Sequence, residues 1–526
     1  MRICILQSNP EMGNLKKNFN WISNKVIATD ADLFVAPEMA LIGYPPDDLI
    51  DQRKFIKNQI DLLNKLQKCI GNKIIIIGGV SFNNNSLRNS AFIISRDRIL
   101  VQDKISLPSY GVFDEKRFFE SGESTQTFKI MNKKFCILIC EDFWDQSLEA
   151  HYSKKEFDYL VIINASPFEL NKDESRINRA QEINKFLKTN IIYVNMVGGQ
   201  DDLVFDGGSF LIDKNNHLIG QLPFFKAVSK TFIFNKHLEY ERKLTKNPEE
   251  IILKALVAGT QDYLKKNKIK RVFIGLSGGI DSALVTYIAS KAINKTSITC
   301  VMMSSVFTSK ISKIDAKKLS DNLGITYKNR NLSTLIKQIN NALKIDFKGK
   351  PADVTEENIQ ARARGIFLMA LANKGKGVVL STSNKSESAV GYSTLYGDMV
   401  GAYAPIKDIP KTMVYQLAKY INKNQEIIPE RIITRAPSAE LRDNQKDQDS
   451  LPDYETLDKV IDLYIEKNKS INEIIKAGFQ PIIVKKIVKL ILSSEFKRRQ
   501  SPPGPKVTTK AFGRDRRYPI TNNYLG

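Results

Sequence analysis

The sequence has few cysteines and histidines, and it has no long apolar run. Its five cysteines are odd in number and scattered, which argues against a disulfide framework and favours the reducing cytoplasm. The three histidines are not paired with cysteines at the spacing of a zinc site, so we expect no structural zinc. No apolar run reaches the length that spans a bilayer, and the first residues lack the cleavage site of a signal peptide. We therefore expect no membrane as a partner.

The composition is that of an ordinary globular protein, except for its charge. Apolar residues make up 42% of the 526 residues and charged residues 26%, and this length allows two or three domains with sizeable cores. The net charge of +22 is compatible with a diffuse solvated surface, with a small substrate rich in phosphate, or with nucleic acid. The excess of lysine is spread along the chain, which favours the solvated surface and argues against nucleic acid as a partner.

The most informative stretch is 277–282, Ser-Gly-Gly-Ile-Asp-Ser. The β-branched, apolar run at 271–276 predicts a buried strand before it, and 283–293 predicts a helix after it. Two glycines allow a sharp turn that exposes backbone N–H groups, and a helix N-terminus adds unpaired donors and partial positive charge. The combination predicts a phosphate-binding loop. It is neither a Walker loop nor the dinucleotide fingerprint, because both patterns are missing.

This hexapeptide resembles the pyrophosphate loop of the N-type ATP pyrophosphatases, which cleave ATP to AMP and pyrophosphate while they adenylate a substrate. The resemblance implies that Ser277, Gly278, Gly279 and Ser282 hold the departing pyrophosphate and that Asp281 holds magnesium. Without the resemblance, the stretch is also compatible with a glycine-rich turn that Ser and Asp cap.

The first 240 residues alternate short apolar strands with amphipathic helices. Strands are predicted at 2–7, 32–36, 74–80, 90–95, 136–140, 159–163, 191–195 and 208–212, and helices at 14–28, 51–70 and 174–188. This alternation predicts a layered α/β domain with its sheets inside and its helices outside.

Three polar residues of this half stand beside short apolar segments. Glu38 lies just past a predicted strand, Lys104 opens Lys-Ile-Ser-Leu-Pro, and Cys140 closes the strand Ile-Leu-Ile-Cys before two acids. Taken singly, they are compatible with a surface carboxylate, a snorkelling lysine and a packed thiol. Together and in this order, they resemble the Glu-Lys-Cys triad of the nitrilase (carbon–nitrogen hydrolase) family, over nearly all of 1–235.

Amide cleavage requires an activated nucleophile, a proton shuttle and a cation for the developing oxyanion. We assign Cys140 as the nucleophile, Glu38 as the base and Lys104 as the electrostatic stabiliser. A cysteine site based on histidine is harder to build, because no histidine lies in a comparable motif.

Two segments further along, 164–168 and 194–201, extend the pattern. The second, Val-Asn-Met-Val-Gly-Gly-Gln-Asp, resembles a segment in the glutaminase domain of glutamine-dependent NAD synthetases, although Met196 stands where glutamine is usual. The resemblance implies that three residues hold the substrate glutamine: Tyr110, Ser166 and Lys172.

The second half begins with a polar, charged stretch at 236–249, which predicts a linker. A helix is predicted at 250–266, and a strand at 298–303 completes a βαβ unit with the phosphate-loop strand and helix. Such a unit predicts a parallel sheet.

Polar motifs follow at 355–365, 378–387, 391–398, 405–412 and 436–442. The first predicts a helix that Thr355 caps, and on it Asn358 and Arg362 share a face. The second predicts a strand that runs into a polar turn, and the last starts a loop, to about Leu451, that we expect to form a mobile lid. Each motif alone is compatible with a capped helix or a polar loop.

Together with the phosphate loop, these motifs resemble the synthetase domain of NAD synthetases over 250–526. The resemblance implies ATP contacts at Gly275, Leu276, Ser277, Gly278, Gly279, Ile280, Asp281, Ser282 and Thr382. It implies Mg²⁺ at Asp281 and Glu387, and deamido-NAD at Asn358, Glu387 and Lys497.

Two departures from this family affect loops. Ser383 replaces a glycine that is usual in the turn, where a positive backbone angle would be uncomfortable for serine. The run 303–307, Met-Ser-Ser-Val-Phe, lacks the proline that is usual at its second position.

The C-terminal stretch 497–517 holds eight basic side chains and one acid. A solvated basic tail is one interpretation. Pro502, Pro503 and Pro505 stiffen it, and Gly504 permits a sharp turn, which favours a packed and ordered path.

The sequence therefore predicts two α/β domains: a nitrilase-like glutaminase sandwich at 1–240 and a doubly wound, Rossmann-like ATP pyrophosphatase domain at 241–526. The resemblances imply ATP-dependent amidation of deamido-NAD to NAD through an adenylated intermediate, with ammonia from glutamine. They also imply a homo-oligomer, either a dimer of synthetase domains or an octamer. Two alternatives stay open: a tRNA-modifying member of the pyrophosphatase superfamily, and a catalytically inactive nitrilase-like scaffold that binds nucleic acid.

Overall fold

The structure is a computed structural model that describes residues 1–83, 86–234, 247–443 and 445–524. The chain divides into two compact units, Met1–Gln200 with Val204–Lys246, and Asp201–Leu203 with Asn247–Gly526. Most of the predicted linker, 236–246, lies outside the described residues. No helix in the described part of the chain is long and apolar enough to cross a membrane.

The first half of the chain contains fourteen strands and four α-helices in its described residues. In chain order they are β1 (Ile3–Gln7), α1 (Leu15–Ala28), β2 (Leu33–Val35), α2 (Arg53–Cys69), β3 (Ile74–Asn83), β4 (Ser86–Ile94), β5 (Ile99–Asp103), β6 (Thr127–Ile130), β7 (Lys133–Ile139), α3 (Gln146–Tyr152), β8 (Tyr159–Asn164), α4 (Lys172–Leu187), β9 (Asn190–Asn195), β10 (Val197–Gln200), β11 (Leu203–Asp206), β12 (Phe210–Ile212), β13 (Leu218–Gln221) and β14 (Val228–Phe232).

These strands form two six-stranded sheets, in the orders β14-β1-β2-β3-β4-β5 and β13-β12-β9-β8-β7-β6. Within the sheets, β1, β2 and β3 run parallel, as do β7, β8 and β9, and the outer strands pair antiparallel. The strands β10 and β11 pair in a separate two-stranded sheet.

The two large sheets pack face to face. Successive strand residues point to opposite faces, so along β7 Ile137 and Ile139 join the core between the sheets, together with Ile3 and Ile5 of β1. Leu138 points the other way and packs in a second core with α4. On the first sheet, α2 packs on β3. The predicted α/β sandwich is confirmed.

All the strands and helices predicted for this half are present, but six strands were not predicted. These are β5, β6, β10, β11, β13 and β14. Four of the six strands have only four residues. The strand β14, Val-Ser-Lys-Thr-Phe, lies at a sheet edge, and its apolar and polar residues alternate only weakly. Such segments carry too few apolar positions for periodicity to identify them.

The second half of the chain contains four strands and twelve α-helices in its described residues. They are α5 (Pro248–Lys266), β15 (Val272–Gly275), α6 (Ile280–Ala292), β16 (Ile298–Ser304), α7 (Lys310–Leu323), β17 (Thr326–Asn331), α8 (Ser333–Ala342), α9 (Val354–Lys374), β18 (Val378–Leu380), α10 (Lys385–Val390), α11 (Lys411–Ile421), α12 (Glu430–Thr434), α13 (Tyr454–Ile461), α14 (Ile471–Lys476), α15 (Pro481–Ser493) and α16 (Glu495–Arg498).

The four strands form one parallel sheet in the order β17-β16-β15-β18. On one face, Phe273, Val301 and Val379 pack against Leu368 and Ala372 of α9. The helices α5, α6 and α11 pack against one another, and α6 also contacts β15. The predicted doubly wound parallel sheet is confirmed. Its order reverses at β15, so the phosphate loop that follows β15 lies at the switch point where such sheets bind ligands.

One local prediction for the second unit is wrong. Thr355 does not cap α9: the Asp353 carboxylate accepts a hydrogen bond from the Thr355 N–H at 2.7 Å, and Glu356 accepts one from the Asp353 N–H at 2.8 Å. This is a capping box, in which aspartate serves as well as threonine. The polar turn expected after β18 is present at 381–384, and α10 follows it directly, since the Asn384 side chain caps that helix by accepting the Glu387 N–H at 2.9 Å.

The remaining sequence expectations concern the loops and the tail. Ser383 does not adopt a positive φ, so serine fits this turn without backbone strain. The packed path expected for the basic tail is confirmed where Gly504, Pro505, Lys506 and Val507 are buried.

Candidate active sites in the two units

Cys140 directly follows β7 and begins a short 3₁₀ turn. Its side chain is buried, and its φ is +49°, in the left-handed region that residues other than glycine rarely adopt. A residue held in such a conformation has a structural cost that the surrounding packing must offset, and such residues cluster at active sites. The turn presents the thiol at the end of a rigid parallel strand.

Glu38 and Lys104 meet in a fully buried ion pair. The Lys104 ammonium donates to Glu38 Oε1 at 2.9 Å, and both side chains have 0% exposure. Glu38 Oε2 also accepts the Ala165 N–H at 2.7 Å. The charges of Glu38 and Lys104 both act on the pKa of Cys140, so the three residues assigned from the sequence belong to one cluster.

The sequence did not predict three further members of this cluster, Glu115, Asn89 and Tyr44. Glu115 accepts a hydrogen bond from the Lys104 ammonium at 2.8 Å, and Asn89 donates to Glu38 Oε1 at 2.7 Å. Tyr44 donates its hydroxyl to Glu115 at 2.7 Å. Glu115 lay within the polar run that starts at Lys104, but no local periodicity distinguishes it there. Asn89 is a polar residue inside a strand, and only its burial at 0% exposure marks it.

The electrostatics of this cluster keep the thiol protonated and the lysine charged. Burial raises the pKa of Cys140 well above its usual value, and the negative charge of Glu38 raises it further. Burial alone would lower the pKa of Lys104, but Glu115 and Glu38 raise it well above its ordinary range. Burial also raises the pKa of Glu115. The thiol must therefore lose its proton as it attacks, and a neighbouring carboxylate has to receive it.

The three residues expected to hold glutamine differ in their surroundings. The Tyr110 side chain is 59% exposed, and its hydroxyl donates to both carboxylate oxygens of Glu141 at 2.9 Å. Ser166 is buried, and its hydroxyl accepts a hydrogen bond from Arg176 at 3.1 Å. Lys172 is the first residue of α4 and is partly exposed. Tyr110 therefore lies beside Glu141, the residue that follows the nucleophile.

The phosphate loop joins β15 to α6 as predicted, with Gly279 at the N-cap. Gly278 has φ +81°, and a Cβ there would lie 2.5 Å from the Ser312 carbonyl oxygen, so only glycine fits. The Ser277 hydroxyl accepts the Gly279 N–H at 3.1 Å and lies 3.2 Å from the Ser282 hydroxyl. These contacts fix a loop whose helix N-terminus faces a cavity.

Asp281 and Glu387 face each other across a buried ammonium. The Lys411 Nζ donates to Asp281 Oδ2 at 2.5 Å and to Glu387 Oε1 at 3.0 Å, and Asn384 donates to Asp281 Oδ1 at 2.9 Å. Burial alone would lower the pKa of Lys411, but the two carboxylates raise it. Burial raises the pKa of Glu387. Lys411 lies within the polar motif 405–412, but the sequence alone predicted no role for it.

A cavity of about 260 Å³ in the second unit is lined by all the residues expected to contact ATP. They are Gly275, Leu276, Ser277, Gly278, Gly279, Ile280, Asp281, Ser282 and Thr382. Glu387, Lys411 and Arg364 also line it. The cavity therefore combines the N-terminus of α6, two carboxylates and two cations, of which Lys411 is buried.

The other two residues expected at deamido-NAD are not among those that line this cavity. The Asn358 side chain accepts the Thr394 hydroxyl at 2.8 Å. Lys497 is half-buried and donates to the carbonyl oxygens of Gly391 and Ser393, each at 2.7 Å. Both residues thus hold the segment that follows α10, the helix that carries Glu387.

The segment predicted as a lid contributes Pro437–Leu441 and Asp447 to the cavity lining. Glu440 accepts the Ser312 hydroxyl at 2.7 Å and Arg435 at 2.9 Å, and Gln360 donates to the Leu441 carbonyl at 2.8 Å. These bonds connect the segment to α7 and α9. Its mobility stays a prediction, and residue 444 within it lies outside the described residues.

Comparison with known families gives two matches that together cover most of the chain. The carbon–nitrogen hydrolase model matches residues 2–232, and the NAD synthase model matches residues 252–501. The chain is 40% identical over 534 residues to a glutamine-dependent NAD(+) synthetase of Acinetobacter baylyi, which covers 99% of this chain and 98% of that protein. It is 38% identical over 569 residues to a protein of the same name from Thermotoga maritima, and this alignment covers 100% of this chain and 99% of that protein.

Two solved structures also match this chain over nearly its whole length. The glutamine-dependent NAD+ synthetase from Acinetobacter baumannii, in complex with ADP, has a TM-score of 0.80 and 39% identity, with 99% of this chain and 98% of that chain covered. A glutamine-dependent NAD(+) synthetase from Cytophaga hutchinsonii has a TM-score of 0.85 at 19% identity, with the same coverage, and supports the fold alone.

Proposed function

Because the chain belongs to the glutamine-dependent NAD(+) synthetases, we propose that it amidates deamido-NAD to NAD with ammonia that its first unit releases from glutamine. The second unit transfers AMP from ATP to the nicotinate carboxylate, and ammonia then displaces AMP. The match over 99% or more of the chain favours this activity over tRNA modification and over a nucleic-acid-binding scaffold. We also propose that the glutaminase domain ends at residue 240 and that the synthetase domain begins at residue 241.

In the first unit, Cys140 attacks the side-chain amide of glutamine and forms a thioester, with Glu38 as the base that accepts the thiol proton. The same proton is then available for the departing ammonia. Lys104, which stays charged between Glu38 and Glu115, stabilises the oxyanion of the tetrahedral intermediate. Water then hydrolyses the thioester and releases glutamate. Tyr110, Ser166 and Lys172 hold the substrate in this proposal.

In the second unit, adenylation turns a poor electrophile into a good one, because a carboxylate has no good leaving group and an acyl adenylate has one. The phosphate loop offers N–H donors at the α6 N-terminus to the departing pyrophosphate. Thr382 contributes to the ATP site, and Asn358, Glu387 and Lys497 contribute to the site for deamido-NAD. Lys411 adds a buried positive charge to the lining of the cavity.

Magnesium fits the carboxylate pair of this site. Asp281 and Glu387 each direct an oxygen at the Lys411 ammonium, so the two carboxylates are arranged around one positive charge, and Mg²⁺ would take the place that this ammonium now holds. Mg²⁺ commonly takes one or two carboxylates from the protein and completes its shell with water and substrate phosphates. When bound, the ion would offset the phosphate charge.

The observation that carries the proposal is one chain that holds both a buried Glu38–Lys104–Cys140 cluster and a glycine-rich loop at the switch point of a parallel sheet. To test it, purified protein receives ATP, Mg²⁺, deamido-NAD and either glutamine or ammonium, and NAD and AMP are measured. We expect both products from both nitrogen sources. If neither glutamine nor ammonium gave NAD, the proposal would be contradicted.

Lys497→Ala is expected to raise the Michaelis constant for deamido-NAD by roughly 10- to 150-fold, equivalent to about 1.5–3 kcal/mol for one hydrogen bond to a charged group. The constants for ATP and glutamine should change far less. Lys497 also supports the carbonyl groups of Gly391 and Ser393. Steady-state kinetics with each substrate varied in turn checks this expectation.

Arg499→Ala is the matched control, since Arg499 is a more exposed basic residue two positions further on that pairs with Glu495. It should leave all three constants near those of the wild type. An unchanged constant for deamido-NAD in Lys497→Ala would remove Lys497 from the binding site and leave it as a support for the loop.

We further propose that the protein is cytoplasmic and forms a homo-oligomer. All five cysteines are unpaired in the structure, as expected in a reducing compartment. Analytical ultracentrifugation of the purified protein would distinguish a dimer from an octamer, and a monomer would contradict the proposal.

A further inference from the structure

Asp142 is a buried carboxylate two residues after Cys140, and the reaction proposed above gives it no task. Its side chain is 1% exposed. One carboxylate oxygen accepts the N–H groups of Ile105 and Ser106 at 3.0 and 2.7 Å, and the other accepts the Ile139 N–H at 3.1 Å.

These three donors belong to two chain segments that both carry reacting side chains. Ile105 directly follows Lys104, and Ile139 directly precedes Cys140. The two segments come from different sheets, since β5 lies in one six-stranded sheet and β7 in the other. One carboxylate therefore connects the backbone beside the oxyanion-stabilising cation to the backbone beside the nucleophile.

The burial of this carboxylate is itself costly. Burial raises the pKa of Asp142 and the three backbone donors and the charge of Lys104 lower it, which together leave the pKa at about 7. A buried carboxylate is tolerated when hydrogen bonds satisfy it. It can accept all three N–H groups, whereas an asparagine amide would turn its NH₂ group toward at least one N–H donor and lose that bond.

We propose that Asp142 is a positioning residue that sets the location of Lys104 relative to the Cys140 thiol. The proposal rests on the proposed glutaminase function of this cluster. A displacement of about 1 Å between reacting groups can cost on the order of 100-fold in rate. Since Cys140 holds a left-handed backbone conformation, the turn depends on bonds such as that from the Ile139 N–H to remain in place.

The test compares Asp142→Asn and Asp142→Ser with the control Asp213→Asn. Asp213 is also buried in the first unit and accepts two backbone N–H groups, from Asn215 and His217 at 2.9 and 2.8 Å. Glutamate release from glutamine, ammonium-dependent NAD formation and thermal unfolding are measured for each full-length variant and for the wild type.

We expect the Asp142 variants to lose roughly 10- to 100-fold in kcat for glutamate release, with the Michaelis constant for glutamine changed by less than about threefold. Their ammonium-dependent NAD formation should equal that of the wild type, and Asp213→Asn should retain its glutaminase kcat.

An unchanged kcat in the Asp142 variants would overturn the proposal, and so would an equal loss in Asp213→Asn. Failure of both Asp142 variants to fold would also overturn it, because Asp142 would then be a general requirement of the fold. A wild-type protein that releases no glutamate would instead contradict the proposed function itself, so the two failures are distinguishable.

Discussion

Replacing Cys140 with alanine is expected to abolish NAD formation from glutamine, by at least about 1,000-fold, and to leave NAD formation from ammonium intact. The thiol forms the bond that breaks the amide, and neither Glu38 nor Lys104 can replace it as a nucleophile while they are held in a buried ion pair. Ammonium supplied at alkaline pH contains enough free ammonia to reach the adenylate without that chemistry. Parallel NAD assays with the two nitrogen sources measure the difference.

Cys136→Ala provides the matched control for this experiment. Cys136 lies four residues earlier on β7 and is equally buried, but it packs in the core between the sheet and α4. Its loss should lower stability slightly and leave glutamine-dependent turnover in place. If Cys140→Ala lost its ammonium-dependent activity to the same degree as its glutamine-dependent activity, the residue would be structural and the assignment of the nucleophile would be wrong.

Asp281→Ala is expected to remove NAD formation with both nitrogen sources, by about 1,000-fold or more, because one pyrophosphate leaving group serves both reactions. The substitution removes a partner of Lys411 and Asn384 and one of the two carboxylates proposed for magnesium. Release of glutamate by the first unit should persist at a basal level. Assays of NAD, AMP and glutamate on the same preparation separate the two units.

Asp315→Asn serves as the control for the loss of a buried aspartate in the second unit. Asp315 accepts two hydrogen bonds from Arg431, at 2.6 and 2.9 Å, and is not among the residues that line the cavity. It should reduce stability while keeping turnover with ammonium. Wild-type turnover of Asp281→Ala with ammonium would refute the role of this carboxylate.

Much of the architecture could be predicted because it is encoded locally. Buried strands such as β8, Tyr-Leu-Val-Ile-Ile-Asn, are continuous apolar runs, and the phosphate loop is one contiguous hexapeptide between a strand and a helix. The order of these elements then limits the sheet to a parallel arrangement. The short edge strands were missed because their neighbours in the sheet, and not their own periodicity, determine that they pair.

The parts of the sites that were missed arise from contacts between residues distant in sequence. Asn89 reaches Glu38 across 51 positions, and Lys411 reaches Asp281 across 130 positions. Residues this far apart in the sequence leave no local pattern from which their contact could be predicted. The wrong cap at Thr355 has a local cause, because Asp353 two positions earlier is an equally good capping residue.

The burial that raises the pKa of Cys140 also bears on the durability of the protein. Peroxides oxidise the thiolate and not the thiol, and the products beyond sulfenic acid are irreversible for most proteins. A nucleophile that stays protonated until an amide arrives is therefore shielded from this damage during the idle part of its cycle. Cys69 is exposed on the surface and directly accessible to oxidants, so we expect it to be the first of the five cysteines to be oxidised in storage.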